Sequence, residues 1–188
     1  MKKVAVVYHS GYGHTERQAK AVAEGAGSVA GVTSHLIPVA EADKHWDDLA
    51  AADAIIFGAP TYMGSVSAGF KKFMDDSSKA WFSSAWKDKL AAGFTNSGSQ
   101  SGDKLNSLVQ LMVFANQHGM LWVSLGLMPG NNNSKGSVND LNRLGSFSGA
   151  MSQSNVDQGA EAMLDSDLKT AAHLGRRVAE TALRYSRA

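Results

Sequence analysis

Residues 4–8 form an unbroken apolar, β-branched run, which predicts a parallel strand covered on both faces. Four more segments read as strands: residues 33–39, 54–57, 90–94 and 120–125. Between them the apolar positions change to a helical spacing. Residues 15 to about 26 place Ala19, Val22, Ala23 and Ala26 on one face. Shorter helical segments cover 45–52, 67–76 and 103–117. A last helix is expected over 165–187, with Leu168, Ala171, Ala172, Val178, Ala179, Ala182 and Leu183 recurring at helical intervals. Strands that alternate with helices in this way predict a doubly wound α/β fold with a parallel sheet and right-handed crossovers. Residues 126 to about 159 form a long polar stretch that fits no element; it reads as an inserted edge element or a cover.

Length and composition narrow the class. A chain of 188 residues with 44% hydrophobic and 19% charged residues suits one globular domain spanning 1–188. Lysine and arginine total 18 against 17 acidic residues, and their only adjacent pairs are Lys2-Lys3, Lys71-Lys72 and Arg176-Arg177. A nucleic-acid groove needs a concentrated basic stripe, so no nucleic-acid partner is expected. With no cysteine there is no disulfide scaffold, thiolate metal site or cysteine nucleophile, and no metal is expected. The lack of cysteine also fits a cytoplasmic location. No apolar run is long enough for a bilayer, so membrane insertion is not expected.

Candidate chemistry sits where the strands end. Loops 10–15, 60–65 and 96–102 are rich in Gly, Ser, Thr and Asn, and parallel sheets bind ligands at such carboxyl-terminal loops. The first loop leads into a helix, whose opening N–H groups lack partners within the helix and attract anions. A nucleoside-triphosphate loop is ruled out because His14-Thr15 stands where Lys-Ser/Thr is required. A dinucleotide fingerprint fails as well: Gly11 and Gly13 are present, but Glu16 replaces the third glycine. The design that remains holds a single terminal phosphate, as in flavin mononucleotide (FMN).

Three segments, read together, resemble one family. They are Tyr8-His9-Ser10-Gly11-Tyr12-Gly13-His14-Thr15, then Ala54-Ile55-Ile56-Phe57-Gly58-Ala59-Pro60-Thr61-Tyr62-Met63-Gly64, then His118-Gly119-Met120. In order and spacing they are similar to the WrbA family of flavodoxin-like proteins, many of which are NAD(P)H:quinone oxidoreductases. The resemblance implies a flavodoxin-like three-layer fold with a five-stranded sheet in the order 2-1-3-4-5. It implies FMN as cofactor, NADH or NADPH as reductant, a quinone-type acceptor, and a homodimer or homotetramer.

By that resemblance, Ser10, Gly11, Tyr12, Gly13, His14 and Thr15 would wrap the FMN phosphate. Pro60, Thr61, Tyr62, Met63 and Gly64 would lie along the flavin ring. Asn96, Ser97, Gly98, Ser99, Gln100 and Ser101 would line its other edge and the ribityl chain. His118, a possible catalytic residue, would approach from a neighbouring subunit or a helix end. Tyr12 and Trp81 match positions near the nicotinamide or quinone pocket. Each has a plainer reading: Tyr12 as a loop cap, Trp81 as core or interface, His118 as a histidine at a helix end. His9, His35, His45 and His173 read as structural.

The chain also departs from the family. Only residues 40–53 join the second and third strands, where active members carry a longer insertion, and Tyr62 stands where those members often have arginine. Two functions therefore stay open: an FMN-dependent NAD(P)H dehydrogenase (quinone), and a flavin-binding module or electron carrier with little or no quinone turnover. The absence of acidic bias favours the enzyme; the short connection favours the module.

Overall fold

The computed structural model describes residues 1–185. Strand β1 (Lys2–Tyr8) leads into α1 (His14–Gly27), and β2 (Val32–Pro38) follows. The short connection holds a 3₁₀ turn (Val39–Lys44) and α2 (Trp46–Ala51) before β3 (Ala54–Tyr62). Next come a two-residue strand β4 (Ser65–Val66), helices α3 (Ala68–Asp76) and α4 (Ser78–Phe82), β5 (Leu90–Ser97) and α5 (Lys104–Gln117). The chain closes with β6 (Leu121–Trp122), β7 (Ala150–Gln153), a 3₁₀ turn (Ala160–Ala162) and α6 (Asp165–Arg184). The expected end of this helix at Arg187 lies outside the described residues.

The main path of the sheet runs β2-β1-β3-β5-β6, so the five expected strands occur in the expected order. Pairing along it is parallel throughout. The pleat sends alternate residues to opposite faces. Val4, Val6, Ile56 and Phe94 join the α1 and α6 side, whereas Val7, Ile55 and Phe57 join the side of α3, α5 and Trp86. Each large apolar side chain buried in this way contributes about 1.5–3 kcal/mol.

The fifth strand differs from its expected form. Residues 120–125 read as one strand, but only Leu121 and Trp122 pair, with Leu90 and Ala91. Val123 donates one further bond to Ala91 O, and the chain then leaves the sheet. The edge position beside Phe94–Ser97 is taken by β7, in parallel register. The polar stretch is therefore an insertion within the edge position: its last part completes the strand that 120–125 begins. Polar side chains suit this strand because it ends in a loop region whose partners are themselves polar.

Candidate functional site

The loops after β1, β3 and β5 are neighbours at the carboxyl edge because those strands are neighbours in the sheet. They border one cavity of about 930 Å³, at the upper end of the usual range for small-molecule sites. Ser10, Tyr12, His14 and Thr15 line it from the first loop; Pro60, Thr61, Tyr62 and Met63 from the second; Asn96, Ser97 and Gly98 from the third.

At the first loop, Gly13 has φ +89° and serves as N-cap of α1, a left-handed conformation that glycine adopts without a Cβ penalty. Its N–H donates to Ser10 Oγ at 3.0 Å, which closes the loop into a turn. Arg17 N–H reaches back to Gly13 O at 2.9 Å, so the amides of His14 and Thr15 precede the helical ladder. Thr15 is 2% exposed in the cavity wall. None of the lining residues is lysine or arginine. The polar groups the first loop presents are thus backbone amides and hydroxyls at a helix start, a cradle whose chemistry suits an anion.

The second loop is a tight hairpin. Thr61 and Tyr62 pair antiparallel with Val66 and Ser65, and both central residues, Met63 and Gly64, have positive φ. That is the turn type whose twist matches a two-residue hairpin. Asn106 Nδ2 donates to Gly64 O and Ser65 Oγ to Gln110 Oε1, pinning the hairpin to α5. Below it, Thr61 Oγ1 lies 2.8 Å from both Thr95 Oγ1 and Ser107 Oγ, a buried hydroxyl trio spanning three elements. The Tyr62 ring meets Tyr12 edge-on at 6.4 Å. Its hydroxyl accepts the Gly11 N–H, and burial raises the Tyr62 pKa. A Cβ on Gly11 would come 2.6 Å from the Tyr62 oxygen, so this contact needs glycine there.

The third loop is held from behind by the inserted stretch. Asn96 Nδ2 donates to Ser154 Oγ and Ser152 Oγ donates to Asn96 Oδ1, each at 2.8 Å. Gln153 Nε2 donates to Gly98 O at 2.9 Å. Sequence reasoning missed Ser154, Val156, Asp157 and Gln158, which complete the cavity wall. The same segment docks on α1, with His14 Nε2 2.9 Å from Gln158 O and Arg17 donating to Ala160 O. No local signal marks these residues, since their place depends on strand pairing 56 residues away. Gly11, Gly13, Gly64, Ser99, Gln100 and Ser101 sit in the loops without lining this cavity; Gln100 and Ser101 face a separate hollow beside α5.

His118 and Trp81 are not brought to this cavity. Both line another hollow of about 560 Å³, between α3, α4 and α5, which shares no lining residue with the first. Trp81 is 51% exposed on α4, so it is not a core residue of the single chain. His118 is buried against Trp86 and Phe114, with ring centroids 4.2 and 4.9 Å away. Ser77 Oγ donates to Met74 O, so His118 Nε2–H donates to Ser77 Oγ at 2.9 Å, and Nδ1 has no partner among the described residues.

Burial lowers the His118 pKa from 6.5 to about 4. The unfolded chain therefore binds an extra proton between those values. The neutral histidine contributes its full stability above about pH 6.5 and loses it as pH falls toward 4. The expected difference is at most about 3 kcal/mol. Urea midpoints at pH 7.5 and 5 should diverge less in His118→Phe than in the parent; equal divergence would remove this assignment.

Comparison with known proteins shows the family to which this fold belongs. A family model for NADPH-dependent FMN reductases matches residues 39–132, covering the second and third loops. A solved WrbA-like flavodoxin from Agrobacterium tumefaciens is 47% identical, with a TM-score of 0.77 over 99% of this chain and 100% of that one. An NAD(P)H dehydrogenase (quinone) from Syntrophobacter fumaroxidans is 32% identical over 98% of this chain and 99% of its own length. The chain belongs to the WrbA-like, flavodoxin-fold family. Within reach of this WrbA-like group stands flavodoxin FldP of Pseudomonas aeruginosa, 50% identical over 95% of this chain and 96% of its own length. The short 39–53 connection and Tyr62 are thus features of a WrbA-like chain that also stands near a protein named flavodoxin.

Proposed function

We propose that this chain binds FMN in the three-loop cavity and transfers a hydride from NADH or NADPH to a quinone. The observation that carries the reading is one cavity lined both by the amides and hydroxyls of a helix start and by the aromatic rings of Tyr12 and Tyr62. The cradle suits one phosphate ester. Charge-assisted bonds of this kind contribute about 1.5–3 kcal/mol each, so a few of them replace a lysine.

When bound, FMN supplies the two-electron chemistry between nicotinamide and acceptor, while the protein contributes orientation and electrostatics. Ser10 and the N-terminus of α1 hold the phosphate. Tyr62, Tyr12 and Met63 line the cavity and offer apolar surface to a ring. Thr61 is held rigid by Thr95 and Ser107. Asn96 is oriented by Ser152 and Ser154 and keeps one amide hydrogen for a ligand. The apolar residues exposed on α4 and α5, Trp81, Phe82, Val109 and Val113, support a homodimer or homotetramer.

The alternative, an electron carrier with little quinone turnover, is favoured by the 50% identity to a protein named flavodoxin. Steady-state oxidation of NADH and NADPH by FMN-loaded protein with a benzoquinone separates the two. Acceptor-dependent turnover with either nucleotide is expected. Tight FMN binding with no turnover would leave the carrier.

A further inference from the structure

Lys104 is the first residue of α5, and its side chain is fully buried. Its Nζ donates to Ser97 Oγ and to Ser99 O, both at 2.7 Å. The ammonium therefore lies against the back of the third loop, one residue's thickness from the cavity that Ser97 and Gly98 line. This is a costly place for a cation. The opening turn of a helix repels positive charge, and burial without a counter-ion is penalised further.

The charges around Lys104 do not cancel it. Asp167 of α6 is committed to Arg143 of the inserted stretch, with Nε–Oδ1 at 2.8 Å and Nη2–Oδ2 at 2.7 Å. Gln153 N–H also donates to Asp167 Oδ2. That pair is buried and internally neutral. Among the described residues, no carboxylate forms an ion pair with Lys104, and the loop in front of it offers only serine oxygens. Burial, the largest cause, brings the Lys104 pKa down to about 8, with Asp167 raising it and Arg143 lowering it. At neutral pH one net positive charge stays behind the wall.

We infer that Lys104 is an electrostatic positioning residue that stabilises the negative charge a bound flavin gains on reduction, acting through the 97–99 loop. The inference rests on FMN being the ligand. In the balanced step, FMN and NADH give the reduced flavin anion and NAD⁺. The hydride carries two electrons and one proton, so the ring ends with one more negative charge. Lys104 exchanges no proton in that step; it keeps the one it holds. A lysine that only clipped the loop would be replaceable by a neutral donor, whereas a charge effect would not survive that change.

The test is potentiometry of the FMN-loaded protein with Lys104→Gln and Lys104→Met. Both variants should favour the reduced flavin about tenfold less, a fall of about 30 mV in the two-electron potential. The parent's potential should also fall more steeply with pH from about pH 8, and the variants should lack this bend. Variants that hold FMN and keep the parent potential and bend would overturn the inference. Should the variants fail to fold, the parent's own profile decides it: no bend, no role. Calorimetry separates the two readings, because a parent that takes up no FMN removes both, whereas one that binds FMN with an unmoved potential removes only this one.

Discussion

Thr15→Glu is expected to lose FMN binding by about three orders of magnitude. Thr15 is the second residue of α1 and lies buried in the cavity wall beside the cradle. A carboxylate there faces the phosphate at close range. Two unit charges about 4 Å apart repel by about 4 kcal/mol at an effective dielectric of 20, and 1.4 kcal/mol is a tenfold change in affinity. The helix itself should tolerate the change, since a glutamate in the first turn complements the dipole. Flavin fluorescence titration reads the affinity and far-UV circular dichroism the fold. Thr15→Ser, which keeps the hydroxyl, should bind within a fewfold of the parent. A glutamate variant that is folded and binds FMN as tightly as the parent would take the phosphate away from this loop.

The second large effect concerns stability. Helices α1 and α6 meet through a reciprocal pair of glycines. A Cβ on Gly175 would sit 1.9 Å from Val22 O, and one on Gly25 would sit 1.9 Å from Ala172 O. Neither obstacle is a side-chain tip that could swing aside; both are backbone. Gly175→Ala should therefore cost about 3 kcal/mol or more through overpacking, overriding the gain of about 0.5–1 kcal/mol that alanine normally brings to a helix. For a domain of this size that is a fall of roughly 6–12 °C in Tm. Gly27→Ala is the control, because its Cβ would meet only Ser34 Cβ at 3.7 Å. Calorimetric scans of the two variants should differ in this order; equal Tm values would show that the helices part without cost. Because α1 also carries the cradle, loosening this contact should weaken ligand binding as well.

Much of the architecture is legible in residue order. The run at residues 4–8 has no polar face, and a strand without a polar face must be covered on both sides. The alternation of such runs with amphipathic helices leaves few topologies, and the sheet follows the expected order. The loop segments at Ser10–Thr15 and Pro60–Met63 are equally legible, because Gly13 and Gly64 mark positions that need positive φ. The fifth strand is less so. Residues 120–125 carry the apolar signal of a full strand, yet only its start pairs, and the polar β7 continues the edge.

What the sequence determined by itself is therefore local: which segments are strand or helix, and which loops carry the glycine and hydroxyl residues at the carboxyl ends of the strands. These properties depend on side chains a few positions apart. The tertiary structure alone decided the rest. It set Ser154 to Gln158 in the cavity wall, placed Lys104 behind Ser97 and Ser99, and buried His118 with Trp86 rather than beside the three loops. Each of these placements arises between chain segments brought together only when the sheet closes. Hydrogen bonds and desolvation act over a few ångströms of space, whatever the distance along the chain.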